Sequence, residues 1–106
     1  MRIVQLVPDP VASDFVAEQI TLRNSGTDTV SLLGWKVRDL AGNSWDLDAL
    51  GALAPGESGT MVRNGQAMSL NNGGDEIELV APGGAVTQTV SYGKVTSGQV
   101  VAVDGN

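Results

Sequence analysis

Apolar and polar residues alternate with a period of two along most of the chain, the signature of strands half buried against a core. Residues 3–7 read as a first strand, which Pro8-Asp9-Pro10 stops because two prolines fix φ and remove donors. Residues 13–17 read as a connecting loop or a short edge. In 18–24, Ile20 and Leu22 share one face while Gln19, Thr21 and Arg23 share the other. Asn24-Ser25-Gly26-Thr27-Asp28 can then turn, so a hairpin to residues 29–33 is expected. In 34–39, Trp35 and Val37 face one way and Lys36 and Arg38 the other, and Ala41-Gly42-Asn43 turns the chain into 44–47 as a second hairpin.

Residues 48–53 are irregular, Pro55-Gly56 forms a bend, 57–63 read as a strand, and Asn64-Gly65 bends again. Leu70 is expected in the core ahead of Asn71-Asn72-Gly73-Gly74. Residues 76–81 set Ile77, Leu79 and Ala81 against Glu76, Glu78 and Val80. After Pro82-Gly83-Gly84, residues 85–92 align Val86, Val90 and Tyr92, and 99–103 read as a closing strand. Eight or nine short strands with no helix between them imply an all-β fold of antiparallel sheets packed face to face. With 106 residues, the chain is expected to form one domain, 1–106, around one core.

Composition narrows the possibilities. The chain holds one Phe, one Tyr and two Trp, so its core must come mainly from Val, Leu, Ile and Ala. A net charge of −6 opposes phosphate binding, and direct contact with nucleic acid is not expected. Without cysteine there is no disulfide or thiolate metal site, and the redox compartment stays open. No apolar run approaches the roughly 20 residues of a membrane span, so no membrane insertion is expected. If the natural protein is exported, its signal is expected outside these residues.

An ordered set of motifs carries a family resemblance. It comprises Glu18-Gln19-Ile20-Thr21-Leu22-Arg23-Asn24, Leu33-Gly34-Trp35 with Asp39 and Gly42, and Leu53-Ala54-Pro55-Gly56. It continues with Leu70, Asn72 and Gly74-Asp75, then Ile77 and Leu79, then Val90-Ser91-Tyr92-Gly93. From about residue 18 to 98 this set resembles the lamin-tail domain of the bacterial, stand-alone or accessory type. The resemblance implies an immunoglobulin-like β-sandwich that is not catalytic, acts through protein contacts, and accompanies secreted or surface hydrolases, nucleases among them. An extracellular or cell-surface location is implied in the same way. Gln19 and Thr21 stand where many relatives have aromatic residues, and no heptad pattern of a coiled-coil rod is present, so filament roles do not carry over. The expected core is Trp35, Ile20, Leu22, Leu33, Val37, Leu70, Ile77, Leu79, Val90 and Tyr92.

Catalysis is not expected, because the chain has no His to serve as base, no Cys nucleophile, and no Ser in a Gly-x-Ser-x-Gly setting. No cofactor is expected either, calcium being the one candidate. Asp39, Asn43, Asp46 and Asp48 crowd one hairpin, and Asn71, Asn72, Asp75 and Glu76 another bend, with the hard oxygens that calcium takes. The competing expectation is that these side chains bond their own turns. Trp45, just past a turn, is the candidate exposed contact, and with Phe15 and Tyr92 it is all that remains to stack on a sugar once Trp35 is assigned to the core. The expected partners are proteins, either a neighbouring domain or a second copy paired through the first and last strands, which are uncharged over most of their length.

Overall fold

The computed structural model describes residues 1–10, 17–71 and 73–103, so the expected loop at 13–17 lies outside the described residues apart from Ala17. Two four-stranded antiparallel sheets face each other. The first runs in the order β10 (Val101–Ala102), β1 (Arg2–Val7), β2 (Gln19–Arg23), β7 (Ser58–Val62). The second runs β5 (Ser44–Asp46), β4 (Lys36–Asp39), β8 (Asp75–Val80), β9 (Val86–Tyr92). A small ribbon pairs β3 (Val30–Ser31) with β6 (Ala52–Leu53) beside a 3₁₀ turn at Asp48–Leu50. The expected sandwich is thus present, with ten strands among the described residues.

Ile3, Leu6, Ile20 and Leu22 from the first sheet meet Val37, Trp45, Ile77, Leu79 and Val90 from the second, and Leu32, Leu47, Leu53, Met68 and Leu70 fill the ends. Burying an aliphatic side chain of this kind stabilises the fold by about 1.5–3 kcal/mol. The expected core positions Ile20, Leu22, Val37, Leu70, Ile77, Leu79 and Val90 are all buried. Tyr92 and Trp35 only partly are, packed against the cluster from its margin.

Three core expectations need correction. Leu33 is 70% exposed and Leu32 takes the core position. Leu32 to Trp35 form a tight turn, closed by the Trp35 N–H on the Leu32 carbonyl (3.0 Å), in which Gly34 adopts φ +82° and Leu33 sits at the outer corner. The two tryptophans exchange roles. Trp45 is fully buried, whereas Trp35, at the entrance to β4, keeps part of its ring at the surface. Val80 is buried rather than facing out with Glu76 and Glu78, because the β8–β9 register shifts between Leu79 and Val80.

The topology also differs from two expectations. Residues 18–24 and 29–33 do not form a hairpin: β2 pairs with β1 and β7, and β3 leaves for the ribbon with β6. Asn24 directs that departure. Fully buried, it donates through Nδ2 to the carbonyls of Asp28 (2.6 Å) and Leu53 (2.9 Å) and accepts the Gly26 N–H on Oδ1 (3.0 Å). A buried amide with its donors and acceptor satisfied fixes one exit path for the chain. The first strand, moreover, is not an edge, since β1 lies between β10 and β2.

The two sheets are latched by a side chain. The backbone of Ile3 in β1 donates to Gln88 Oε1 (2.6 Å) and accepts from Gln88 Nε2 (3.1 Å), so one amide of β9 takes the place of a strand. Gly74, at φ +120°, permits another close approach: a Cβ there would lie 2.9 Å from the Tyr92 carbonyl.

Candidate functional site

Several of the candidate calcium ligands bond groups of their own turns. Asp39 accepts the Asn43 N–H on Oδ1 (2.9 Å) and the Asn43 side-chain amide on Oδ2 (3.4 Å). Asp48 accepts the Gly34 N–H (3.0 Å), and Asp46 is exposed. In the second bend, Asp75 accepts the N–H groups of Asn71 (3.2 Å) and Glu76 (2.8 Å), and Asn71 accepts that of Gly73 (2.9 Å). Asn72 lies outside the described residues. Among the described residues, no group of three or more His, Cys, Asp or Glu gathers where it could hold a metal ion. Asp39, Asp48 and Asp75 each satisfy a backbone donor that a tight turn would leave without a strand partner, and Glu76 accepts from the Ser91 hydroxyl (3.2 Å).

Trp45 is no exposed contact. Its indole N–H donates to the Met68 carbonyl at 2.7 Å, and the segment 63–70 folds over the ring. A buried ion pair holds that segment: Glu18 Oε1 accepts from Arg63 Nη1 (3.3 Å) and from the Leu70 N–H (3.0 Å), while Arg63 Nε donates to the Gln66 carbonyl (2.8 Å). Gln66 Oε1 accepts the Asp46 N–H (2.9 Å), which covers the outer side of β5. Sequence reasoning missed this segment because its residues read as a polar bend, and its bonds reach 20 to 52 positions along the chain.

The first aromatic candidates for sugar stacking are likewise placed. Trp45 is enclosed, Tyr92 is half-buried, and Phe15 lies outside the described residues. Tyr92 donates its hydroxyl to the Asn71 carbonyl (2.9 Å); burial pushes its phenol well above the usual range, and Asp75 and Glu18 add to the rise.

What remains is surface. The sheet ends are β10 and β7 in the first sheet, and β5 and β9 in the second. β10 has two residues, β7 runs beside the 3₁₀ turn, where Gly59 meets Leu50 and Leu53, and β5 is covered by Gln66. β9 has seven residues, pairs on one side with β8, and belongs to a run from Ala81 to Gly93 without any charged residue. Val86, Thr87, Thr89 and Ser91 on it are exposed.

The outer face of the same sheet carries a concavity of about 290 Å³ at the β4–β5 hairpin, lined by Lys36, Arg38, Asp39, Leu40, Gly42, Ser44 and Glu78. Arg38 Nε donates to Glu78 Oε1 at 2.8 Å across the β4–β8 pair, and Leu40 at the rim is 68% exposed. None of these groups forms a nucleophile–base pair. Among the described residues, no helix is long and apolar enough to cross a membrane.

Comparison with known proteins agrees with this architecture. Residues 1–94 match the family model described as Lamin Tail Domain. No curated protein and no solved structure matches the chain.

Proposed function

The chain belongs to the lamin tail domain family, and from that premise we propose that it is an accessory module that holds a protein partner along the free edge of β9. The family suggests a non-catalytic, immunoglobulin-like protein-interaction module. The finer reading is that this module accompanies a secreted or surface hydrolase and that its contact is made by strand addition, to a neighbouring domain or to a second copy.

One observation carries the reading. β9 is the longest strand among the described residues, ends its sheet, and has no charge from Ala81 to Gly93. Exposed edges of this kind pair with other chains unless a charge, a proline, a bulge or a cover prevents it; the bulge at Thr87 and the bonds from Gln88 to Ile3 leave residues 89–92 as the stretch of β9 open to such pairing. Strand addition supplies affinity through main-chain hydrogen bonds and selects among partners through alternate side chains.

The test is amide hydrogen exchange on β9, compared between the isolated domain at micromolar concentration and the longest natural product that carries it. Slower exchange at residues 89–92 in the longer product, or on concentrating the domain, is the expected result. The double substitution Thr87→Lys and Thr89→Lys should abolish that slowing and leave the fold intact. If exchange on β9 is the same throughout and the domain sediments as a monomer, the reading fails.

A further inference from the structure

We propose that Asn64-Gly65 is a site of covalent modification by deamidation, and that its isoaspartate product loosens the cover over Trp45 and the edge of β5. It goes beyond docking on β9, because it acts at the opposite edge of the sheet and does not depend on that docking.

The chain holds two Asn-Gly pairs, Asn64-Gly65 and Asn72-Gly73. Such pairs lose ammonia most readily, because glycine has no Cβ to keep its own nitrogen from reaching the side chain before it. The fold separates the two. The Gly73 N–H donates to Asn71 Oδ1 (2.9 Å), so the nitrogen that would attack Asn72 is engaged. The Gly65 N–H makes no hydrogen bond among the described residues, and Asn64 is exposed with its side-chain amide equally unengaged there. Asn24 and Asn43 are each followed by serine, and both hold their amides on neighbours: Asn24 on the Asp28 and Leu53 carbonyls, Asn43 on Asp39. Only Asn64 combines the glycine, the free nitrogen and the open side chain.

Its place in the fold gives the modification a consequence. Asn64 (φ +45°) and Gly65 (φ +82°) form the corner of a turn closed by the Gln66 N–H on the Arg63 carbonyl (2.9 Å), the mirror-image geometry that Asn and Gly favour. A base removes the Gly65 N–H proton and the nitrogen attacks Asn64 Cγ. The new C–N bond closes a cyclic imide as the Cγ–Nδ2 bond breaks and the amide nitrogen leaves, protonated, as ammonia. Water then opens the imide at either carbonyl, so water is taken up for ammonia released. One opening leaves aspartate; the other leaves isoaspartate, whose backbone runs through the side chain and is longer by a methylene group.

That extra length falls between two anchors. Arg63 is buried against Glu18 and donates through Nε to the Gln66 carbonyl (2.8 Å), while Gln66 Oε1 accepts the Asp46 N–H (2.9 Å) on β5. A longer link at 64 displaces Gln66 from both, which bares β5 and slackens the path that sets the Met68 carbonyl on the Trp45 indole (2.7 Å). Aspartate at 64 keeps the backbone length and so keeps the cover.

The experiment incubates the isotope-labelled domain in mildly alkaline buffer, folded and in urea, and follows each Asn by mass-spectrometric peptide mapping that distinguishes isoaspartate from aspartate. In the folded domain Asn64 is expected to lose ammonia roughly fivefold faster than Asn72, the factor by which one hydrogen bond that must break first slows the attack. In urea the two should react alike. Hydrogen exchange measured by NMR on the purified isoaspartate form should be faster than in the parent at the Asp46 amide and the Trp45 indole, and unchanged in Asn64→Asp. Asn64→Gly, which keeps the positive φ and has no amide to lose, should fold, stay unmodified at 64 and keep slow exchange. Equal rates at Asn64 and Asn72 in the folded domain, or no isoaspartate at 64, would overturn the site. Isoaspartate at 64 with exchange unchanged at Asp46 and Trp45 would overturn the loosening of the cover.

Discussion

The Gln88 latch makes a quantitative demand on the fold. Ile3 sends both its N–H and its carbonyl to one side-chain amide, at 2.6 and 3.1 Å, in a partly buried setting. Gln88→Met keeps the length of the side chain and removes both bonds, each worth about 1 kcal/mol net, so a loss of about 2 kcal/mol is expected. For a domain of this size that corresponds to a fall in Tm of about 8–10 °C. Gln88→Glu is the sharper variant. It keeps the acceptor for the Ile3 N–H but turns the donor facing the Ile3 carbonyl into a second acceptor, so near neutral pH it should cost about 3 kcal/mol. When protonated, the same carboxyl can donate again. Burial against a carbonyl raises the native pKa of the new group above its unfolded value of about 4.3. The variant's stability relative to the parent is therefore retained below that pH and lost as pH rises through the raised value. Urea unfolding followed by tryptophan emission, with both proteins compared at each pH, measures the difference. If both variants lie within about 0.5 kcal/mol of the parent, or the Glu deficit does not change with pH, Gln88 is solvated and does not hold the sheets together.

Other outcomes follow from the same contacts. Trp45→Ala should cost about 3–5 kcal/mol in urea unfolding and Trp35→Ala clearly less, because only the first empties a fully buried site and strands the Met68 carbonyl; equal losses would contradict the assignment. The single tyrosine can be titrated by its absorbance at 295 nm and should ionise well above the ordinary value of about 10. Because its folded pKa is raised, the associated stability is complete below about pH 10 and is lost as pH climbs toward the folded value, a decline that Tyr92→Phe should remove. Calcium at millimolar concentration should leave Tm unchanged, whereas an ion bound at a hundredfold excess over Kd would add about 2.7 kcal/mol.

Most of the strands were legible in local alternation, because a strand half buried on one face writes its burial directly into a period of two. Ile20 and Leu22, Ile77 and Leu79 are such pairs, and all four are buried. The tryptophans show where that reading ends. The hairpin register sets Val37 opposite Trp45, so the alternation that put Val37 in the core already implied the same for Trp45. What alternation could not supply was the cover, since segment 63–70 reaches Trp45 through contacts distant in sequence. The position of Trp35 was obscured for a different reason: it has the right parity, but it enters β4 from a tight turn at the margin of the sandwich. The surface sites were legible only in part. The uncharged run from Ala81 to Gly93 is plain in the sequence, yet its standing as an edge depends on strand order, as does the interior position of β1.

The buried pair of Glu18 and Arg63 bears on where contacts can form. Burying two charges is costly, and well-packed apolar residues often stabilise a fold as much or more, so stability alone does not account for the pair. An ion pair has direction that an apolar contact lacks. Here Arg63 also grips the Gln66 carbonyl while Glu18 holds the Leu70 N–H, which fixes the path of 63–70 across the end of the second sheet. That path encloses Trp45 and places Gln66 on the β5 backbone, so one end of the sheet is closed to other chains. Among the described residues, no strand pairs with β9 on the side away from β8. The same sheet thus has one edge closed by Gln66 on β5 and the other, β9, tied to β1 through Gln88, so the proposed strand addition falls to residues 89–92, beyond that tie.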